Sequence, residues 1–184
     1  KYMKKVLLLF MLMPFIAFAQ VSDDFSDGDF TNNPTWLGTD GNYIVNSNLQ
    51  LQLNAEEAGE SYLSLPFATF ETMQWNFWIR ESFAPSGNNF SDVYLCADNA
   101  NLMAVTQGYF LRFGEGGSSD AITLYRKDTA GEQQICRGTE GAIAASFSVA
   151  VQVNCDREGH WSVQTCYDGS GIYAIEAEGV DDSF

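Results

Sequence analysis

Carboxylates, one histidine and four cysteines are the groups in this chain that could enter acid–base, nucleophilic or metal chemistry. Hydrolysis of a glycoside needs two carboxyl groups roughly 5–10 Å apart across the scissile bond. Here Glu56, Glu57 and Glu60 lie in a stretch of loop character, and Glu176 and Glu178 stand on a strand with no aspartate between them. His160 sits beside Gly159 in a hairpin turn, which leaves serine, cysteine and metal hydrolase arrangements without a usable histidine. Cys96, Cys136, Cys155 and Cys166 contain no C-x-x-C spacing, so a zinc ligand set is missing. Asp23, Asp27 and Gly28 resemble part of a calcium loop, but Phe25 stands where an oxygen ligand is required and no glutamate follows at the right distance. A turn-rich lead-in to the first strand describes that segment better. The residue types predict no enzyme, no metal and no cofactor, and leave recognition as the chemistry to look for.

Recognition points to residues 71–83, ETMQWNFWIRESF. Met73, Trp75, Phe77 and Ile79 alternate there with Gln74, Asn76, Trp78 and Arg80. A period of two marks a half-buried strand, because successive side chains point to opposite faces. With the large apolar residues of the following strands also placed inward, the outward ones are Tyr94 and Cys96, Phe110 and Arg112, and Thr123 and Tyr125. If these strands share one sheet, its outer face carries Trp78, Tyr94, Phe110 and Tyr125 with Arg80 and Arg112. These six residues are the candidate ligand-binding set. Aromatic faces beside polar forks suit sugar rings or a partner protein, and exposed apolar area of that extent marks an interface. A loop, a further strand or a neighbouring domain lying over the face would satisfy it equally well.

The elements that must position these residues are short strands bounded by Gly, Asn, Asp and Ser. Tyr43, Ile44 and Val45 meet an Asn-Ser-Asn turn and then LQLQL, where Leu49, Leu51 and Leu53 are expected to face in and Gln50 and Gln52 out. Strands follow at 61–67, 92–97, 108–113, 121–126, 134–136, 146–155, 161–167 and 172–178. Phe147, Val149, Val151 and Val153 form one face of the long 146–155 strand. Its other face (Ser148, Ala150, Gln152, Asn154) reads as an ordinary solvated surface. Past residue 20 no stretch keeps a helical period, so about ten strands predict an antiparallel two-sheet sandwich in one domain.

Residues 1–19 are expected to be a secretory signal peptide. Lys1, Lys4 and Lys5 flank Met3, read as the initiator, and an apolar run from Val6 to Ala19 ends in Ala17-Phe18-Ala19. Those 14 residues fall short of the roughly 20 that a spanning helix needs. The expected mature chain, 20–184, is secreted or held at the cell surface, with no membrane insertion after cleavage. Loss of three lysines takes the formal charge from −15 to −18, which repels phosphate backbones and excludes nucleic acid as a partner. Four cysteines in an exported chain allow three disulfide pairings. The hairpin register expected around 156–160 puts Cys155 opposite Trp161 and not opposite Cys166.

Taken in order, FSDGDFTNNPTW, LQLQLNA, WNFWIRESFAPSGNN, DVYLCAD, GYFLRFGE, AITLYRKD and the D-x-x-G-x-W hairpin DREGHW resemble the concanavalin A-like, laminin-G-like jelly roll. That domain stands at the amino terminus of large bacterial secreted proteins, many with lamin-tail domains downstream. The resemblance covers nearly all of 20–184. It implies a jelly-roll sandwich with a binding or adhesive role towards a glycan or surface protein, and no catalytic residues. A structural spacer or docking domain is the alternative function. Hydrolases of the same architecture usually show E-x-D-x-x-E on one strand, a string this chain lacks. Members of the family continue past a segment like EGVDDSF, so the resemblance also implies missing last strands and an unpartnered first strand. Asp128-Thr129-Ala130 resembles the acceptor for bacterial O-glycosylation in such proteins.

Overall fold

The computed structural model describes residues 21–68 and 71–183; the expected signal peptide at 1–19 lies outside them. Twelve strands run through the described chain: β1 (Leu37–Gly38), β2 (Tyr43–Val45), β3 (Leu51–Leu53), β4 (Leu63–Ser64), β5 (Met73–Glu81), β6 (Ser91–Ala97), β7 (Gly108–Phe113), β8 (Ile122–Asp128), β9 (Gly131–Arg137), β10 (Phe147–Cys155), β11 (His160–Cys166) and β12 (Ala174–Val180). They form two antiparallel four-stranded sheets, β12-β11-β10-β5 and β6-β7-β8-β9, and two small two-stranded sheets, β1-β4 and β2-β3. Among the described residues no helix is long and apolar enough to cross a membrane.

The two large sheets enclose one core. β5 contributes Trp75, Phe77 and Ile79, β10 contributes Phe147, Val149, Val151 and Val153, and β11 contributes Trp161 and Val163. They meet Leu95, Tyr109, Leu111, Phe113, Ile122 and Leu124 of the other sheet. Rings bridge the layers: Phe113 meets Phe77 edge-on with centroids 6.3 Å apart and stacks on Phe147 at 5.9 Å, while Tyr109 lies 4.6 Å from Trp161. The sandwich character expected from the two-residue period is therefore present. β10 pairs with β5 along its whole length and with β11 in the expected register, Cys155 opposite Trp161.

Three expectations are corrected. In β6 a bulge between Tyr94 and Cys96 places Cys96 opposite Tyr109, so its side chain packs against the core and not outward. A bulge adds one residue to one strand and so reverses the facing of the side chains beyond it. In the 43–53 hairpin, Leu49 has φ 58° and belongs to the turn, and Leu49 and Leu53 are exposed. The 61–67 strand shrinks to Leu63–Ser64, because Thr39 takes over the next pairing position by bonding Tyr62 through both its amide and its hydroxyl. All four cysteines are free thiols.

The D-x-x-G-x-W hairpin closes one end of the sandwich. Asp156 Oδ1 accepts the amides of Glu158 and His160 at 3.0 and 2.9 Å, fixing the turn. Gly159 has φ 74°, and a Cβ there would stand 2.5 Å from the Asp181 carbonyl, so only glycine fits. Trp161 Nε1 donates to that carbonyl at 3.1 Å. The Asp181 carboxylate accepts from Tyr109 Oη and Arg126 Nη1, both at 2.6 Å, which ties the chain after β12 to the β6-β7-β8-β9 sheet as the Trp161 bond ties it to the other.

Candidate functional site

The six candidate residues divide between the two sheets. Tyr94, Phe110, Arg112 and Tyr125 share the outer face of β6-β7-β8-β9, while Trp78 and Arg80 stand on β5 in the other sheet. The single aromatic face expected if their strands lay together does not form.

On the first face the groups satisfy one another. Phe110 is fully buried, with its ring 5.0 Å from Tyr94 and 5.4 Å from Tyr125. The Arg112 guanidinium lies over Phe90, Phe110 and Tyr125 at 4.5, 5.1 and 5.4 Å. Its nitrogens are taken up by Asp92 at 2.8 and 2.7 Å and by Glu132 at 2.8 and 3.3 Å. Hydrogen bonding to Asp92 raises the Arg112 pKa, whereas the Asp92 carboxyl is itself raised, by burial first and by the Glu132 charge, against the pull of Arg112. Burial also lifts the Tyr94 phenol to about 12. This cluster is packed and charge-matched, with no free fork left for a ligand.

The second face is open. Trp78 is 47% exposed, and its Nε1 donates to Ser148 Oγ at 3.0 Å across the strand pair. Its opposite residue on β10 is Ala150, whose methyl leaves the indole standing above its surroundings. The strand register then sets side chains in rows: Arg80 with Ser148, Asn76 with Gln152 and Gln164, and Gln74 with Asn154 and Ser162. Gln152 Nε2 donates to Asn76 Oδ1 at 2.9 Å, so the central amides are held in place. Arg112, Arg126, Arg137 and Arg157 each sit against a carboxylate. The Arg80 side chain has no ion-pair or hydrogen-bond partner among the described residues, although its backbone belongs to the β5–β10 ladder. An exposed indole beside ordered amides and an unspent guanidinium can stack on a ring and bond to its substituents.

The sequence picked out Trp78 and Arg80 but missed Asn76, Gln152, Asn154 and Gln164 as their neighbours. The alternation of β10 shows that its small polar side chains point outward, but not that β5 lies beside them.

Elsewhere the acidic residues serve the backbone. Asp23, Asp24, Asp27 and Asp29 each accept an amide two residues on, and Asp23 also takes the Trp36 indole N–H at 2.8 Å. Hydrogen bonds from the Asn32 side chain and from the amide and hydroxyl of Thr31 hold Asp29 at about 2. Asp156, Glu158 and His160 have side-chain donor atoms within 4.8 Å of one another, but Asp156 is committed to the turn and to His160 Nδ1 at 2.9 Å. Thr129 stands exposed at the tip of the β8–β9 hairpin. Comparison with family models, curated proteins and solved structures finds no match.

Proposed function

We propose that this chain is a non-catalytic, secreted binding or adhesion module whose ligand is a glycan, held on the outer face of β5, β10 and β11. The observation that carries this is Trp78, a large indole left 47% exposed beside Arg80 and rows of amides. Sugar rings offer one apolar face to such an indole and hydroxyls to the amides. In this reading the sandwich is a jelly roll of the concanavalin A-like, laminin-G-like kind within a longer bacterial surface or secreted protein. Its partners are then a glycan or surface protein and the domains that follow it.

A glycan array tests the proposal: binding is expected, and Trp78→Ala is expected to abolish it while the melting curve is retained. Absence of any signal with the folded parent sinks it, and release of reducing sugar from β-glucans or host glycans sinks its non-catalytic part. One observation favours a docking domain as the second reading. Ile172, Ile175 and Val180, on or beside the edge strand β12, are 77%, 64% and 66% exposed, an apolar margin suited to polypeptide.

A further inference from the structure

Glu81 departs from the pattern of its own strand. Trp75, Phe77 and Ile79 fill the inward positions of β5 with apolar groups, and the next inward position is a carboxylate. Glu81 is only 4% exposed, and neither of its oxygens has a hydrogen-bond partner. Other acids that leave solvent are provided for: Asp120 accepts the Glu115 amide at 2.8 Å, Asp92 holds Arg112, and Asp181 holds Tyr109 and Arg126.

Burial raises the Glu81 pKa, and Asp120, itself 1% exposed, adds to the rise through its charge. The Ser91 hydroxyl offsets part of it without meeting hydrogen-bond geometry. No basic group figures among the charges that Glu81 feels. Arg80 points from the opposite face of the strand, and the remaining arginines are held by other acids.

We propose that Glu81 and Asp120, with the Ser91 hydroxyl, bind one divalent cation of the calcium class at the end of the sandwich opposite Asp181. A buried carboxylate without a partner is costly, and a second acid alongside adds to the cost. A proton would remove the Glu81 charge and find an acceptor in the Ser91 hydroxyl, but it would leave the charge of buried Asp120 with no cation opposite it. A cation satisfies charge and oxygens together. Glu81 also lines a depression with Arg80, Ser82, Ser146, Phe147 and Ser148, while its carboxylate oxygens are themselves shielded from solvent. The donors are hard oxygens with no imidazole or thiolate, which selects calcium over zinc. Glu81 belongs to one large sheet and Ser91 to the other, while Asp120 leads into β8, so the ion would join the layers.

The test is calcium titration of the chelator-stripped protein by calorimetry and thermal melting. One saturable site is expected, with a midpoint that climbs with calcium concentration. Glu81→Gln and Asp120→Asn are each expected to abolish the site, and Asp156→Asn in the exposed turn is expected to leave it. Glu81→Gln should also melt above the calcium-free parent, which shows that the variant folds. Failure of the parent to bind millimolar calcium, or binding that survives Glu81→Gln, overturns the proposal. So does a parent midpoint that rises on mild acidification and ignores calcium at every pH, since that assigns a proton to Glu81.

Discussion

The two large sheets turn opposite kinds of surface outward. On β6-β7-β8-β9, Phe110 is buried between two tyrosines and Arg112 is spent on Asp92 and Glu132. On the face of β5 and β10, Trp78 is half exposed and Arg80 answers to no acid. By residue type the two faces looked alike, aromatic rings beside an arginine. What separates them is whether neighbouring carboxylates and rings have already consumed the arginine and covered the ring. A binding face is recognised by what its polar groups have left to give.

That contrast predicts stability losses on one face and binding losses on the other. Phe110→Ala is expected to cost about 3–5 kcal/mol in a urea melt, since it empties a fully enclosed ring site. A loss under about 1 kcal/mol would mean that the ring packs loosely and the faces are not so different. Arg112→Ala is expected to cost about 3 kcal/mol by leaving two acids without their cation. Adding Asp92→Asn should recover part of that loss, because burial already favours a neutral group there.

The two inward acids give a smaller, pH-dependent contrast. At Asp181 burial pushes the pKa up, but Tyr109, Ser183 and Arg126 together pull it below 3.8. Its contribution is therefore present above the unfolded value and lost as pH falls through the lower folded value. Asp181→Asn should destabilise at pH 7, with the gap closing under strong acid. Glu81 has the opposite sign: its raised folded pKa opposes folding at neutral pH, and that penalty is absent below the unfolded value of 4.5. In calcium-free protein Glu81→Gln should be the more stable at pH 7, and the two melting curves should merge below about pH 4.5. The smallest effect is expected at Trp78→Ala, within about 1 kcal/mol because the indole is half solvated. Binding, measured by calorimetry against the array's best glycan, should be lost all the same.

Much of this was legible because it is local. The alternation of Met73 to Arg80 and the D-x-x-G-x-W turn fixed the facing of β5, the inward Phe-Val-Val-Val row of β10 and the partner of Cys155. The sequence was silent where facing depends on a single extra residue, as in the bulge that turns Cys96 inward. It was silent too on which strands share a sheet. Nothing near Trp78 announces Ala150 or Gln152, so the amide rows became visible only once the register was known. The apolar Leu49 and Leu53 misled for a related reason: a hairpin as short as β2-β3 has no second layer fixed by its own pattern.

The pairing of β5 with β10 also shapes how the chain comes off the ribosome. Met73 meets Cys155 and Glu81 meets Phe147, partners 82 and 66 residues apart. At roughly 5–20 residues per second the nascent β5 waits several seconds, its tryptophans and phenylalanine uncovered, before β10 exists. Such delayed closure makes folding slow and intermediates adhesive. Holdase binding during synthesis should therefore concentrate on the tryptophan-rich segment.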